Sequence, residues 1–266
     1  MRELFVDRVG YFILICFLIL ATFWFYLYFS GIKDSQLNYW FGFAYALVAL
    51  LGFLRGLHIF KKWGGFSSWV GKSILFFSLG LFGEWFGQTV WTYYNAIAKI
   101  EIPYPSIADA GYFAIIPLYA LGMYFIAKST GIKVSLQTFK GKFLVIVIPI
   151  VMFSVSYFLF LKDLQIDIAT PVKTFLDYGY PLGEAIVISI ALTTYSLTQG
   201  VLGGKMKNTI LLLIFAIIFQ YITDSFFLYR VAKELYFNGD FVDFMYLTSF
   251  TIMALAINKF NMNLDE

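Results

Sequence analysis

Eight apolar segments, each close to the length needed to cross a bilayer, follow one another along the whole sequence. They cover residues 11–29, 39–60, 73–94, 107–127, 143–161, 181–199, 209–229 and 241–257. A transmembrane helix needs about 20 apolar residues to span the hydrocarbon core. The chain is 61% hydrophobic and only 13% charged, which leaves too little polar surface for a water-soluble globule. We therefore predict an all-α integral membrane protein with eight transmembrane helices, in which residues 1–266 form a single membrane domain.

The distribution of basic residues predicts how these helices are oriented. With the N-terminus inside the cell, 13 of the 19 lysine and arginine residues fall at cytoplasmic helix ends or loops. Basic residues are retained on the cytoplasmic side during insertion. We expect a multi-pass protein of the plasma membrane with both termini in the cytoplasm. The net charge of +3 follows from this topology and does not indicate a nucleic-acid partner.

An internal repeat relates residues 73–123 to residues 209–257. The matching residues, at offsets of 136 or 134 positions, are Gln88 and Asp224, Tyr93 and Tyr229, Asp109 and Asp243, Tyr112 and Tyr246, Ala120 and Ala254, and Leu121 and Leu255. The third and seventh segments both run outward, so the two halves have the same orientation. The pattern predicts a parallel repeat of four plus four spans about an axis along the membrane normal, with halves 1–127 and 128–266.

Acidic and amide side chains lie within the two repeated segments. Glu84 and Gln88 are one turn apart in the third segment, and Gln220 and Asp224 have the same spacing in the seventh. An ionisable group at membrane depth costs about 3 kcal/mol on insertion scales, so such side chains normally face the bundle interior. We expect the four side chains to meet in a central cavity. The alternative is that they only hydrogen-bond neighbouring helices.

Several acids near the predicted outer helix ends fit helix starts better than ligands. Ser106 and Asp109 have the spacing of a capping box, and Asp240 and Asp243 repeat that spacing. An acid in the first turn of a helix also interacts favourably with the helix dipole. We expect Asp109 and Asp243 to begin helices, with a ligand-binding role as the alternative.

The sixth apolar segment is predicted to begin at Pro181, because proline is favoured at the first helical position. This start places Glu184 in the first turn, where it serves as a third helix-starting acid. Residues 162–180 would then form the longest outer loop, and this loop is a candidate lid.

Three short motifs carry a resemblance to a known group of proteins. They are Gly-Gln-Thr-Val-Trp-Thr-Tyr-Tyr at 87–94, Tyr-Pro-Ser-Ile-Ala-Asp-Ala-Gly-Tyr at 104–112 and Tyr-Pro-Leu-Gly-Glu at 180–184. In these motifs the chain resembles the eight-helix membrane regions that precede diguanylate cyclase and phosphodiesterase domains in prokaryotic signalling proteins. The resemblance covers most of the chain from residue 73 onward and implies a sensor-type module. It departs at Gln88, where that group has an aspartate.

The sequence ends about ten residues after its last apolar segment. We therefore expect no output domain within it, and we expect a sensor-type module of this kind to act through a cytoplasmic signalling partner.

A fainter resemblance is to the lysoplasmalogenases, integral membrane hydrolases of vinyl-ether lipids, which carry Gly-Asp in the third helix and Ser-Asp in the seventh. Thr223-Asp224 is similar to the second motif, whereas Gly87-Gln88 departs from the first. Glu84, one turn away, could replace the missing acid, and two carboxyl groups could protonate a vinyl ether and activate water. A third alternative is an ion- or proton-coupled transporter that uses Glu84 and Asp224.

The leading interpretation is a non-enzymatic membrane module that binds a small or lipid-like ligand among acids and aromatics of its outer half. No cofactor or metal is expected, since the sequence holds one cysteine and one histidine. The candidate ligand-binding residues are Glu84, Gln88, Trp91, Tyr93, Asp109, Tyr112, Glu184, Gln220, Asp224, Asp243 and Tyr246. Under the hydrolase alternative, the catalytic residues are Glu84 and Asp224.

Overall fold

A computed structural model describes residues 7–130, 132–198 and 206–265, apart from the side chains of residues 133, 134 and 262–265. Within these ranges the chain is helical and contains no strand. The helices are α1 Arg8–Phe29, α2 Gln36–Lys62, α3 Trp69–Thr92, α4 Ile107–Ser129, the single turn α5 Ile132–Ser135, α6 Phe139–Ser156, α7 Pro171–Thr198, α8 Met206–Ala232 and α9 Phe241–Asp265. Arg2, Lys205 and the side chain of Lys133, which entered the orientation argument, lie outside the described residues.

Seven of the described helices are long and apolar enough to cross a membrane: α1, α2, α4, α6 with its π-helical extension to Leu161, α7, α8 and α9. The prediction of a multi-pass helical membrane protein is confirmed at this level.

The third predicted segment lies in α3, which has 24 residues but is not among the seven. Half of its residues are buried, and it packs against α2, α4 and α9. The glycines of α3 and Glu84 are among its buried residues, so they face other helices.

Helices α3 and α4 pack closely where glycines remove the side chains from the contact. A Cβ atom on Gly111 would lie 2.6 Å from the carbonyl oxygen of Gly83, and a Cβ atom on Gly83 would lie 2.8 Å from the carbonyl oxygen of Gly111. Small residues let transmembrane backbones approach in this way. The close contact fixes the position of α3, which carries Glu84 and Gln88.

The helix starts at Asp109 and Asp243 confirm the predicted capping roles. The Ser106 amide donates to Asp109 Oδ2 at 2.7 Å and completes a capping box. Asp243 Oδ2 accepts from the Gly239 amide at 2.6 Å, one residue earlier than the repeated spacing predicted. Both acids therefore stabilise the first turns of α4 and α9.

The predicted start of the sixth span at Pro181 is wrong. Helix α7 begins at Pro171, and the Thr174 amide donates to the Thr170 carbonyl at 3.0 Å in its first turn. Pro181 therefore lies inside the helix, and Glu184 is in its middle instead of its first turn. The predicted lid loop is also wrong in extent, because residues 171–180 are helical and only residues 162–170 connect the helices.

At the opposite end of the bundle from Asp109 and Asp243, α1, α2 and α9 are tied together by polar contacts. Arg55 forms an ion pair with Asp7, and its Nε donates to Asn258 Oδ1 at 2.7 Å. The Trp63 indole donates to the Phe260 carbonyl at 3.0 Å. We call this end of the bundle the Arg55 end.

Candidate functional site

A hydrogen-bonded network of polar side chains joins α3, α8 and α9 inside the bundle. Gln220 Nε2 donates to Glu84 Oε1 at 2.9 Å and to the two carboxylate oxygens of Asp224 at 3.0 and 3.2 Å. Ser249 Oγ donates to Gln220 Oε1 at 2.5 Å. Glu84 and Gln220 are only 1% and 4% exposed. Three of the four side chains that were predicted to meet, namely Glu84, Gln220 and Asp224, are therefore in direct contact through one amide group, and the cavity expected around them stays a prediction.

The Gln220 amide holds two carboxyl groups next to each other. Since the nearest oxygens of Glu84 and Asp224 are 2.9 and 3.0 Å from the same nitrogen, they are no more than about 6 Å apart. Tyr246 OH donates to Asp224 Oδ1 at 2.8 Å and fixes the second carboxyl group. Asp224 itself is partly exposed, whereas Glu84 is enclosed. We call Glu84, Gln220, Asp224, Tyr246 and Ser249 the Gln220 network.

Gln88 lies one turn from Glu84 but forms a separate pair. Tyr112 OH donates to Gln88 Oε1 at 2.8 Å, and a Cβ atom on Gly42 would lie 2.7 Å from Gln88 Nε2. The amide is thus wedged between α2, α3 and α4. Gln88 and Tyr112 were predicted with the other site residues, and the structure places them beside the Gln220 network without a hydrogen bond to it among the described residues.

The predicted repeat pairs Gln88 with Asp224 and Tyr112 with Tyr246, and each half contains the corresponding hydrogen bond. In α3 and α4 the tyrosine donates to an amide, and in α8 and α9 the tyrosine donates to a carboxylate. The two bonds have the same length of 2.8 Å. The repeat as a whole stays a prediction.

A third carboxyl group lies on α7. Glu184 is partly buried near the middle of this helix, which packs against α8, the helix that carries Asp224. It forms no hydrogen bond or ion pair within the described part of the chain. Glu184 therefore does not cap a helix, and the described residues show no hydrogen bond between it and the Gln220 network.

Tyrosines also donate hydrogen bonds to the two capping acids, Asp109 and Asp243, in the first turns of α4 and α9. Tyr180 OH donates to Asp109 Oδ1 at 2.9 Å, and Tyr236 OH donates to Asp243 Oδ1 at 2.9 Å. Burial, and then the nearby carboxylate of Asp243, raises the pKa of the loop residue Tyr236 well above its ordinary value. The Tyr236 phenol therefore stays protonated and acts as a donor. Asp109 and Asp243 are structural acids whose oxygens already have partners.

Trp91 and Tyr93, the two remaining candidates, lie away from the network. The Trp91 indole donates to Asn238 Oδ1 at 3.0 Å, and the Asn238 amide donates to Asp34 Oδ1 at 2.9 Å. These bonds hold the α8–α9 connection at the end of the bundle opposite the Arg55 end. Tyr93 is 51% exposed and makes an edge-on ring contact with Tyr94. Neither side chain contacts Gln220 through a hydrogen bond among the described residues.

Sequence reasoning missed three residues of this region. Ser249 contacts Gln220, and Tyr180 and Tyr236 bind the capping acids. Tyr180 stands in a motif singled out by resemblance, so a signal for it was present. Ser249 is a hydroxyl in an apolar helix with no polar counterpart in the first half, and no pattern marks it. Its role depends on how α8 and α9 pack.

The chemical character of the site follows from its inventory of groups. Glu84, Asp224 and Glu184 offer carboxyl oxygens, and no lysine or arginine forms an ion pair with them in the described ranges. No group of three or more metal-binding side chains was found among the described residues. Two surface pockets, near Tyr178 and near Asn95, include none of the predicted site residues.

Together, the fold and the site define a multi-pass helical membrane protein with a buried network of carboxyl, amide and hydroxyl groups. Comparison of the sequence with family models, with curated proteins and with solved structures gives no match. The function is therefore argued from the chain's own residues.

Proposed function

We propose that the protein is a membrane-embedded sensor-type module whose ligand binds at the Gln220 network. The observation that carries the proposal is the hydrogen bond between Glu84 and Gln220, which joins buried polar residues of α3 and α8. Buried ionisable side chains at membrane depth are expensive and usually functional. A purely structural helix contact would not need two carboxyl groups beside one amide.

The ligand class follows from the balance of donors and acceptors. The network contributes carboxyl oxygens from Glu84 and Asp224, with Glu184 nearby, while its few donors are already engaged. A matching ligand therefore brings hydrogen-bond donors, such as hydroxyl or amine groups, on a small or lipid-like body. Asp224 and Glu184 are partly exposed and would meet this group first, before the enclosed Glu84.

Helix α9 offers a route from the site to the Arg55 end. Ser249 and Tyr246 contact the Gln220 network, and Asn258 on the same helix accepts from Arg55. At 1.5 Å per residue, Ser249 and Asn258 are about 14 Å apart along the helix. A ligand that displaces the Ser249 contact would shift α9 against α2 and alter the surface offered to a cytoplasmic signalling partner.

The predicted four-plus-four repeat gives this proposal a structural rationale. α2 packs against α9, and α4 packs against α7, two contacts that a two-fold relation between the halves would exchange. The matching tyrosine bonds of Gln88 and Asp224 support the same relation. Under this arrangement the Gln220 network lies between the halves, where relative movement is sensed most directly.

Ligand-dependent stabilisation of the purified protein tests the sensor proposal. The full chain in lipid nanodiscs is screened against hydroxyl- and amine-bearing amphiphiles, and its melting temperature is measured. A ligand should stabilise the wild type and not the Asp224→Asn variant. Asp163→Asn, which changes an exposed acid outside the network, should behave like wild type. Equal stabilisation of all three proteins would place the ligand elsewhere.

A lysoplasmalogenase-type hydrolase is the second candidate, and one observation favours it. Glu84 and Asp224 lie within about 6 Å, are held by one amide, and differ in exposure, as an acid and base pair with separate roles requires. Purified protein is incubated with a lysoplasmalogen, and release of the fatty aldehyde is measured. Cleavage that both Glu84→Gln and Asp224→Asn abolish, with Asp163→Asn active, would establish the hydrolase and overturn the non-enzymatic sensor.

A further inference from the structure

Two lysine side chains converge on one exposed indole where α3 begins and α4 ends. Lys72 Nζ lies 4.5 Å from the centroid of the Trp69 ring, and Lys128 Nζ lies 4.6 Å from it. The two ammonium groups are therefore no more than about 9 Å apart. Lys128 Nζ is also 4.7 Å from the ring of Tyr124. We call Trp69, Lys72, Tyr124 and Lys128 the Trp69 cluster.

The ring of Trp69 is held in place by stacked phenylalanine rings. It stacks on Phe125 with centroids 5.7 Å apart and an interplanar angle of 15°. Phe125 in turn stacks on Phe76 at 5.5 Å, so the cluster rests on a fixed aromatic column. Trp69 and Tyr124 are each 45% exposed, which leaves their outer surfaces free.

No carboxylate neutralises this pair of lysines among the described residues. The ion pairs between described residues use other bases, namely Arg55, Lys162, Lys173 and Arg230. A cation–π contact orients an ammonium group without cancelling its charge. Lys72 and Lys128 thus remain available to a further anion, and that anion would offset the repulsion between them.

The position of the cluster indicates where that anion comes from. Tryptophan and tyrosine at the ends of membrane-spanning helices lie at headgroup depth, and lysine side chains extend toward the same layer. Basic groups between adjacent helices at this depth bind anionic lipid headgroups. We propose that the Trp69 cluster is a binding site for the phosphate of an anionic phospholipid, with Lys72 and Lys128 contacting the phosphate oxygens and Trp69 and Tyr124 bordering the glycerol region.

Titration of the detergent-solubilised full chain with short-chain lipids tests this site. The probes are dioctanoyl phosphatidylglycerol, dioctanoyl phosphatidylcholine and inorganic phosphate, and lipid retention is counted by native mass spectrometry. Wild type should retain phosphatidylglycerol in preference to phosphatidylcholine. Removing both charges in the Lys72→Gln, Lys128→Gln variant should weaken phosphatidylglycerol binding roughly 10- to 30-fold, since each lysine near the headgroups contributes about tenfold or less.

A matched control is provided by Lys140 and Lys142, two exposed lysines at the start of α6. The Lys140→Gln, Lys142→Gln variant removes the same charge and should keep wild-type binding. The Lys72→Arg, Lys128→Arg variant should also bind, because it retains both charges. Equal losses in the two glutamine variants would overturn the site in favour of general attraction, and so would competition by inorganic phosphate at the concentration at which the lipid binds.

Discussion

Removing the Gln220 side chain tests the network through its energetics. Gln220→Ala breaks contacts to Glu84, Asp224 and Ser249 in one step. Interhelical hydrogen bonds in membranes average about 0.6 kcal/mol, with a maximum near 1.7 kcal/mol. A buried group that loses its partner costs about 1–3 kcal/mol more. Because Glu84 is 1% exposed and has no other donor among the described residues, we expect a loss near 3 kcal/mol.

A double-mutant cycle separates the Glu84–Gln220 bond from general damage. The free energy of unfolding is measured for Glu84→Ala, Gln220→Ala and the double variant by reversible denaturation in mixed micelles. A direct bond predicts a coupling energy of about 1 kcal/mol. A control cycle uses Gln88→Ala in place of Glu84→Ala. Gln88 lies on the same helix as Glu84 but bonds to Tyr112. Its coupling energy with Gln220 should be close to zero.

The outcome that would refute this reasoning is a coupling energy for Glu84 and Gln220 no larger than that for Gln88 and Gln220. The Gln220 amide and the Glu84 carboxyl group would then not be hydrogen-bonded in the membrane. The proposed ligand site would lose its central contact.

Three further predictions concern two tyrosine hydrogen bonds, one glycine contact and one ion pair. Tyr112→Phe should cost about 0.6 kcal/mol and Tyr246→Phe more, about 1.5 kcal/mol, because only the second tyrosine donates to a carboxylate; unfolding in mixed micelles measures both, and equal losses would contradict the assignment. Gly111→Ala should lower the free energy of unfolding by about 1–3 kcal/mol and with it the melting temperature, since the alanine methyl group would meet the α3 backbone. An unchanged melting temperature would show that the two helices pack less closely. Asp7→Asn and Arg55→Gln should be non-additive by about 1–3 kcal/mol, because the partly buried ion pair is lost only once, and additive losses would argue against that pair.

The multi-pass helical architecture was readable from the sequence because spanning length and hydropathy are local properties. Of the eight predicted spans, the one in α3 is not among the seven described helices that are long and apolar enough to cross a membrane. Ser106 and Asp109 also carried a local signal, and the predicted capping box forms. The contact between Glu84 and Gln220 was anticipated because the repeat placed acid and amide groups at matching depth on two helices. Their direct bonding depends on side-chain packing, and no sequence pattern encodes it.

The predicted start of α7 was wrong because Pro171 and Pro181 both fit the preference of proline for the first helical position. Pro181 precedes an apolar run, and this position predicts that it is the first helical residue. Pro171 follows Thr170 and has the same first-position preference, but the polar residues Lys173, Thr174 and Asp177 lower the hydropathy of the stretch after it. The hydropathy pattern therefore did not indicate that α7 begins at Pro171, and Glu184 was assigned to a helix cap instead of the middle of the helix.

Similarly, the sequence predicted that Glu84 and Gln88 of α3 face the bundle interior, but not which helices lie against them. Those helices are α2, α4 and α9. Such long-range packing cannot be derived from the composition of α3 alone.

The most direct test of the ligand site is an experimental structure of the full chain purified in native lipids. The account predicts Glu84 and Asp224 on either side of the Gln220 amide, with non-protein density contacting Asp224 or Glu184. Well-resolved side chains of Glu84 and Gln220 that point apart, or that face lipid, would contradict it.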